Sequence, residues 1–325
     1  MIDVVLGIDI GGTNTKLGLV SEAGENLRHL SIPTRAEQPI SYFLEHLVKA
    51  LQQLKSAFSE DVNVKGIGMG APNGNYHNGH IEKAPNLHWG DDVPMGPLIK
   101  QELGLPVWLT NDANAAAIGE MKFGTAKGMK NFVVITLGTG LGSGLVMNGE
   151  LVYGHDGFAG EIGHNTIIPG GREHSTQRKG SIETYVSATG VKRTVAELLA
   201  SRIERSEMRQ SAFEDISAKQ VAELALKGDP VALEAFEYTG RLLGIGLADT
   251  VILCDPEAII VFGGMAASGD LIMKPTEKYL NQYLPSYLRG KTKLMLSNLT
   301  GGNTAILGAA ALAWDEIHKM ELQAS

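Results

Sequence analysis

The chain carries one cysteine, Cys254, in 325 residues. No intrachain disulfide framework can form, and a reducing compartment is expected. It has no run of about 18 apolar residues, so no segment reads as a membrane-spanning helix. Basic residues are not in excess: 28 Lys and Arg stand against 36 Asp and Glu, a formal net charge of −8. Both signs are scattered, so neither nucleic acid nor an anionic membrane is an expected partner. The first apolar run, Val4-Val5-Leu6-Gly7-Ile8, is cut by Asp9 and has no cleavage site after it. It does not read as a secretory leader, and a cytoplasmic location is expected. The glycosylation sequon at Asn298-Leu-Thr300 is then a chance match. Glycine is abundant, at 40 residues, and 43% of the chain is hydrophobic. That supports a large core, and the length predicts two domains.

Two segments resemble each other. Gly7-Ile-Asp-Ile-Gly-Gly-Thr13-Asn-Thr-Lys-Leu-Gly-Leu-Val20 opens the chain, and Val134-Ile-Thr-Leu-Gly138-Thr-Gly-Leu-Gly-Ser-Gly144-Leu-Val146 recurs near its middle. Each is an apolar run, a polar glycine-rich turn and a second apolar run. Both read as β-hairpins, and their likeness predicts two related α/β halves. Between them, Ile40, Phe43, Leu44, Leu47, Val48, Leu51 and Leu54 recur at helical spacing. Lys65–Gly70 reads as a strand, residues 73–96 as an irregular loop, and Val107–Leu109 as a strand that stops at Asn111-Asp112. A small-residue helix follows, closed by Gly124. Residues 155–180 form a polar, glycine-rich excursion. Helices are expected near 190–205 and 217–227. Another runs from the cap signal Asp229-Pro230 to about Leu253, and the last covers 303–319. Ala258–Phe262 reads as a buried strand ending at Gly263-Gly264. Strands and helices alternate, so the class is α/β.

Asp9-Ile-Gly-Gly-Thr13 places a carboxylate, two glycines and a hydroxyl in one tight turn. Glycines let backbone N–H groups converge on an anion, and a carboxylate suits magnesium. Gly138-Thr139-Gly140 offers a second such cradle. Either loop can equally be an ordinary hairpin turn. The dinucleotide fingerprint fails at Gly140–Gly144, because strand follows where a helix is required; the P-loop fails at Gly290-Lys-Thr292, because its upstream glycine falls on Pro285. Asp112, at a strand–helix junction, reads as an N-cap whose pKa the helix dipole lowers. An ionised carboxylate there can still accept a hydroxyl proton. Glu161, His164 and Glu183 lie in the polar excursion, as surface residues or as partners of sugar hydroxyls.

Jointly these segments resemble the ROK family of sugar kinases along nearly the whole chain. The markers are Asp9-Ile-Gly-Gly-Thr13, Gly70-Ala-Pro72, Asn86-Leu87, Asn111-Asp-Ala-Asn-Ala115, Gly138–Gly144, Gly160-Glu-Ile-Gly-His164, Glu183-Thr-Tyr185 and Gly263-Gly264. The resemblance implies two actin/hexokinase-like (ribonuclease H-like) domains with a cleft between them, closing on sugar. The small domain would hold residues 1–112 and 303–325, and the large domain residues 113–302. It implies an ATP- and magnesium-dependent kinase, usually a homodimer. Asp112 matches the catalytic base; Asn86, Asn111, Asp112, Glu161, His164 and Glu183 match sugar ligands. Asp9, Gly11, Gly12, Thr13, Gly138, Thr139 and Gly140 match phosphate contacts, with Asp9 toward magnesium, directly or through water. Gly263 and Gly264 match the adenosine-side turn.

Two departures stand out. Family members commonly carry C-x-C-G-x-x-G-C ahead of the Glu-Thr-Tyr segment, where the cysteines and an upstream histidine bind zinc. Here His174, Thr176 and Ser181 stand in those places, and no zinc is expected. Pro72-Asn73 replaces the usual Pro-Gly.

The expected activity is transfer of the γ-phosphoryl group of ATP to a hexose 6-hydroxyl, glucose first. Fructose, mannose, allose, N-acetylglucosamine and N-acetylmannosamine stay open. The family also includes sugar-responsive repressors with a helix-turn-helix ahead of the kinase-like region. The first strand here starts within about five residues, and Asp112 is retained, so an enzyme is expected over a regulator or a non-catalytic sugar-binding scaffold.

Overall fold

In a computed structural model, residues 2–56, 62–299 and 304–324 are described. Thr300 of the sequon and the expected boundary at 302/303 lie outside them. The chain divides into two units. The first comprises Met1–Met129, Leu151–Gly160 and Asn298–Ser325, and the second Lys130–Glu150 and Glu161–Ser297.

The first unit is built on strands β1 (Ile2–Ile10), β2 (Asn14–Ser21), β3 (Asn26–Pro33), β4 (Val62–Ala71) and β7 (Val107–Asn111), in the order β3-β2-β1-β4-β7. The strands β1 and β2 form the expected hairpin, with Ile10 opposite Thr15 at its turn. Helix α1 (Ile40–Ser56) turns Phe43, Leu44, Leu47, Leu51 and Leu54 inward, as its spacing predicts. Part of the expected irregular loop is ordered as a two-stranded ribbon of β5 (Ile81–Glu82) and β6 (Asp92–Val93), and α2 (Met95–Leu103) follows it. Side chains shape the turn ahead of the ribbon: Asn73 donates to the carbonyls of Glu82 and Lys83 at 2.9 and 3.2 Å. Asn73 has φ +51°, a left-handed conformation that asparagine tolerates. The replacement of the family's glycine is thereby accommodated.

The helices α3 (Asp112–Phe123) and α9 (Thr304–Ala324) pack small faces together. A Cβ built on Gly119 would lie 2.9 Å from the Gly308 Cα. That contact keeps α3 in the first unit, so the boundary expected at residue 112 falls after Met129. The segment Leu151–Gly160 also belongs here. Tyr153 stacks on Tyr76 with centroids 3.9 Å apart, and Asn75 donates to the Asp156 carbonyl at 2.8 Å.

The second unit repeats the topology with β8 (Phe132–Leu137), β9 (Leu141–Met147), β10 (Glu150–Leu151), β11 (Ala258–Phe262) and β12 (Lys293–Leu296), ordered β10-β9-β8-β11-β12. Position for position this matches the first sheet, so the internal sequence likeness corresponds to a structural repeat. Its helices are α4 (Glu183–Val186), α5 (Ala188–Ser201), α6 (Ala218–Leu226), α7 (Pro230–Cys254) and α8 (Asp270–Tyr283). Asp229 caps α7, accepting the Ala232 N–H at 3.0 Å ahead of Pro230. No described helix is long and apolar enough to cross a membrane.

Sheet one accepts α9 at backbone distance because Gly68 has no side chain; a Cβ there would overlap the Ala309 carbonyl. Gly68→Ala should cost about 2 kcal/mol, the range for overpacking a tight core. Gly264→Ala, whose Cβ would meet nothing within 4 Å, should leave stability unchanged. Urea denaturation of the two variants tests the contrast, and equal midpoints would contradict the packing argument.

Candidate active-site residues

In the first unit, β1, β4 and β7 run parallel, with Asp9 beside Gly70 and Gly70 beside Thr110. Their carboxyl ends therefore align, which is where open α/β sheets place ligand groups. Asp112 is the first residue of α3, directly after β7. The cap itself is Asn111, whose Oδ1 accepts the Ala113 N–H at 2.8 Å. Asp112 Oδ1 accepts the same N–H at 2.8 Å.

The expected lowering of the Asp112 pKa is reversed. Its surface reaches solvent, yet surrounding protein strips much of its hydration, and this raises the pKa despite the backbone hydrogen bonds. Asp9 is pushed up to about 6 by burial first, then by repulsion from Asp112, with Lys16 pulling the other way. Two carboxylates in each other's field are a donor set that fits a hard divalent cation. Asp9 is the residue that would hold magnesium.

The turn Gly11-Gly12-Thr13 is secured from outside. Thr34 donates its hydroxyl to the Gly11 carbonyl at 2.6 Å and its N–H to the Thr13 carbonyl at 2.9 Å. Its hydroxyl also lies 2.9 Å from that of Thr15, and both threonines are buried. Asn86 closes on the same turn: a Cβ at Gly12 would lie 2.9 Å from the Asn86 Cβ. Asp9, Gly11, Gly12, Thr13, Asn86, Asn111 and Asp112 thus share one end of one sheet. Sequence reading assigns no role to Thr34 or Lys16; the hydrogen bonds of Thr34 and the charge of Lys16 beside Asp9 mark them.

In the second unit, the turn between β8 and β9 is the meeting point. The Gly138 N–H donates to the Gly140 carbonyl at 3.0 Å, and the Gly138 carbonyl accepts the Ala188 N–H at 2.9 Å. Met265 N–H reaches the Leu137 carbonyl at 3.0 Å. Gly263, at φ +107°, lies so close to Leu137 that no Cβ would fit. Glu183 Oε2 accepts the Leu141 N–H at 2.7 Å, and a Cβ on Gly140 would strike that carboxylate at 2.5 Å. Gly138, Thr139, Gly140, Glu183, Gly263 and Gly264 are therefore assembled around one hairpin turn. A cavity of about 210 Å³ beside it is lined by Thr139, His174, Glu183, Ser187 and Arg193, among others.

Glu161 and His164 bracket a single 3₁₀ turn, Ile162–His164, whose Ile162 N–H lies 3.2 Å from the buried Ser143 hydroxyl. Burial lowers the His164 pKa, and the neighbouring His174 lowers it further. Its Nδ1 is buried with no hydrogen-bond partner among the described residues.

The zinc positions of the family pattern do not fit a metal. The ring of His174 is committed on both nitrogens, to Thr176 and to Glu183. Thr176 and Ser181 offer only hydroxyls, which are poor zinc ligands at neutral pH.

Comparison with known proteins places these features in a family. A glucokinase of Halalkalibacterium halodurans is 33% identical over 323 residues, covering 97% of this chain and 96% of its own length. A putative xylose repressor of Caldicellulosiruptor is 29% identical over 290 residues, 88% of this chain and 72% of the repressor. The crystal structure of a ROK glucokinase from Streptomyces griseus, in complex with glucose and AMPPNP, superposes with a TM-score of 0.80. It is 32% identical and covers 95% of this chain and 98% of its own. The fold is accordingly the two-domain actin/hexokinase type. The ROK family model matches residues 5–316, and the chain belongs to the ROK family.

Proposed function

We propose that this protein is a cytoplasmic, homodimeric hexose kinase that transfers the γ-phosphoryl group of ATP to a sugar 6-hydroxyl, with glucose the preferred substrate. The observation that carries the reading is Asp112. It stands at the carboxyl end of a parallel strand, held at the start of α3, with a pKa raised because the surrounding protein strips away part of its hydration. A carboxylate moved toward the working pH accepts a proton more readily than an ordinary one.

Asp112 takes the proton of the 6-hydroxyl as that oxygen attacks phosphorus; the P–O bond to ADP breaks and its electrons leave with ADP. Asn86, Asn111, Glu161, His164 and Glu183 bind and orient the sugar hydroxyls. The turns at Gly11–Thr13 and Gly138–Gly140 receive the phosphates, and Gly263-Gly264 receives the adenosine side. Asp9 would hold magnesium, which when bound would supply charge neutralisation on the phosphates. Positioning and electrostatics of this kind account for most of the catalysis in phosphoryl transfer.

The likeness to xylose repressors supports a second reading, a sugar-responsive regulator. ADP release from ATP in the presence of glucose, fructose, mannose, allose, N-acetylglucosamine or N-acetylmannosamine separates the two. Turnover is expected, fastest with glucose; binding of sugar with no turnover on any of them would favour the regulator.

Two variants probe the carboxylates. Asp112→Asn should lower kcat by at least about 10²-fold while sugar affinity, measured by calorimetry, changes little. A near-normal kcat would remove Asp112 from the reaction. Asp9 has a folded pKa near 6, above its ordinary 3.8, so the folded state binds the extra proton between those values. Ionised Asp9 therefore costs stability above about pH 6, and the cost vanishes as pH falls through the window. Asp9→Asn should stabilise the magnesium-free protein at pH 7.5 by about 3 kcal/mol, with most of the gain lost at pH 4, while abolishing activity. Thermal melts at both pH values test the sign; a destabilised variant at pH 7.5 would contradict it.

A further inference from the structure

His174 sits in a short excursion closed by backbone pairing. Glu173 bridges Lys179 and Thr166 bridges Ser181; the His174 N–H donates to the Arg178 carbonyl at 2.8 Å. Gln177, at φ +65°, donates its N–H back to the His174 carbonyl at 2.9 Å. The His174 backbone is therefore held before its side chain makes any contact.

The ring nitrogens are distinguishable. Nδ1 accepts the backbone N–H of Thr176 at 3.1 Å and lies 2.8 Å from its hydroxyl. A nitrogen that accepts an N–H carries no proton itself. The ring proton is then on Nε2, which lies 2.5 Å from Glu183 Oε1. The His174 side chain is only 10% exposed and that of Glu183 25%. The other oxygen of Glu183, Oε2, accepts the Leu141 N–H. Each carboxylate oxygen thus has one protein donor, and each keeps a lone pair for a further hydrogen bond. Without these two donors a glutamate of three rotatable bonds would lose its freedom on binding a ligand, at a cost to affinity.

We infer that His174, as a neutral imidazole with its proton on Nε2, is the positioning residue for Glu183, and that this hydrogen-bonded couple orders the excursion where the family pattern places zinc. Glu183 is fixed between the His174 ring and the Gly138–Leu141 turn, in the rotamer it presents to sugar. The ring has no nitrogen left for a metal. The inference rests on the reading of Glu183 as a sugar ligand for its kinetic consequence, but the couple itself does not depend on that reading.

The test therefore has two arms. In the first, long-range ¹⁵N–¹H correlation spectra of the histidine rings, assigned by His174→Gln, are recorded on untagged protein at neutral pH. The signature of a neutral Nε2–H ring is expected for His174, shifting in Glu183→Gln, with no zinc by elemental analysis. An Nδ1–H ring, an insensitivity to Glu183→Gln, or stoichiometric zinc lost on chelation would each overturn the inference. In the second arm, His174→Ala should raise the sugar KM by about tenfold, as for loss of one charged hydrogen bond, with the ATP KM unchanged. His174→Gln, whose amide can still donate to Glu183, should restore most of the sugar KM. A merely structural role would give equal losses in both variants, or a matching rise in the ATP KM, and would overturn it. If spectra show the couple while no sugar is phosphorylated by the wild type, it is the proposed function that fails.

Discussion

The hydrogen bond from the Leu141 N–H to Glu183 is the constraint on which the second unit's site depends. The chain reverses at Gly138–Gly140 within three residues, and the reversal leaves backbone donors and acceptors to be satisfied. Glu183 takes one donor, Ala188 supplies one N–H, and Met265 supplies another. Three separate stretches are thereby pinned to one turn: the end of the excursion, the start of α5 and the turn after β11. The absence of side chains at Gly140 and Gly263 is what lets them approach. A substitution at either glycine would act on Glu183 and the Gly263-Gly264 turn together, because both are anchored on the same few atoms.

The first unit holds the opposite kind of feature, a carboxylate whose charge the fold disfavours. Burial first, and then the field of Asp112, raises the energy of ionised Asp9, and Lys16 offsets only part of this. A fold that holds two carboxylates at aligned strand ends retains a local instability that a hard cation and a proton-donating substrate would relieve. The rest of the unit is stiff enough to sustain it. Small residues let α9 lie on the sheet at backbone distance, and Thr34 locks the turn that follows Asp9.

What the sequence disclosed followed from periodicity and from turn chemistry. The two hairpins were legible because alternating apolar runs flank glycine-rich turns, and their likeness carried through to identical strand orders. The helix α1 was legible from its apolar stripe, and α7 from Asp229-Pro230. The helix α8 was not, because Pro275 stands in its middle and reads as a breaker. The structure tolerates it against Gly240 of α7, where a Cβ would lie 2.6 Å from the proline ring. The ribbon of β5 and β6 was missed because its strands are two residues each, too short for any period to register. The site residues were legible as motif members, but the direction of the Asp112 shift was not. A cap position argues for a lowered pKa, and only the surrounding protein shows that desolvation outweighs the backbone hydrogen bonds there.

The excursion at 155–180 is held together by a set of hydrogen bonds and one ion pair. A metal would draw distant backbone segments together and orient a histidine. Here backbone bridges at Thr166–Ser181 and Glu173–Lys179 draw the segments together. Arg172 adds to this, donating to the carbonyls of Thr184 and Gly190, each at 3.0 Å, and pairing with Glu197. A guanidinium with five donors can join several segments at once. Hydrogen bonds are individually weaker than zinc–thiolate bonds, so the order they impose must be spread over many of them. That is the pattern seen: two bridges, one arginine and one imidazole share the load. The imidazole differs from the others in that its partner is Glu183, so the packing of the excursion reaches the turn at Gly138–Gly140 through a single side chain.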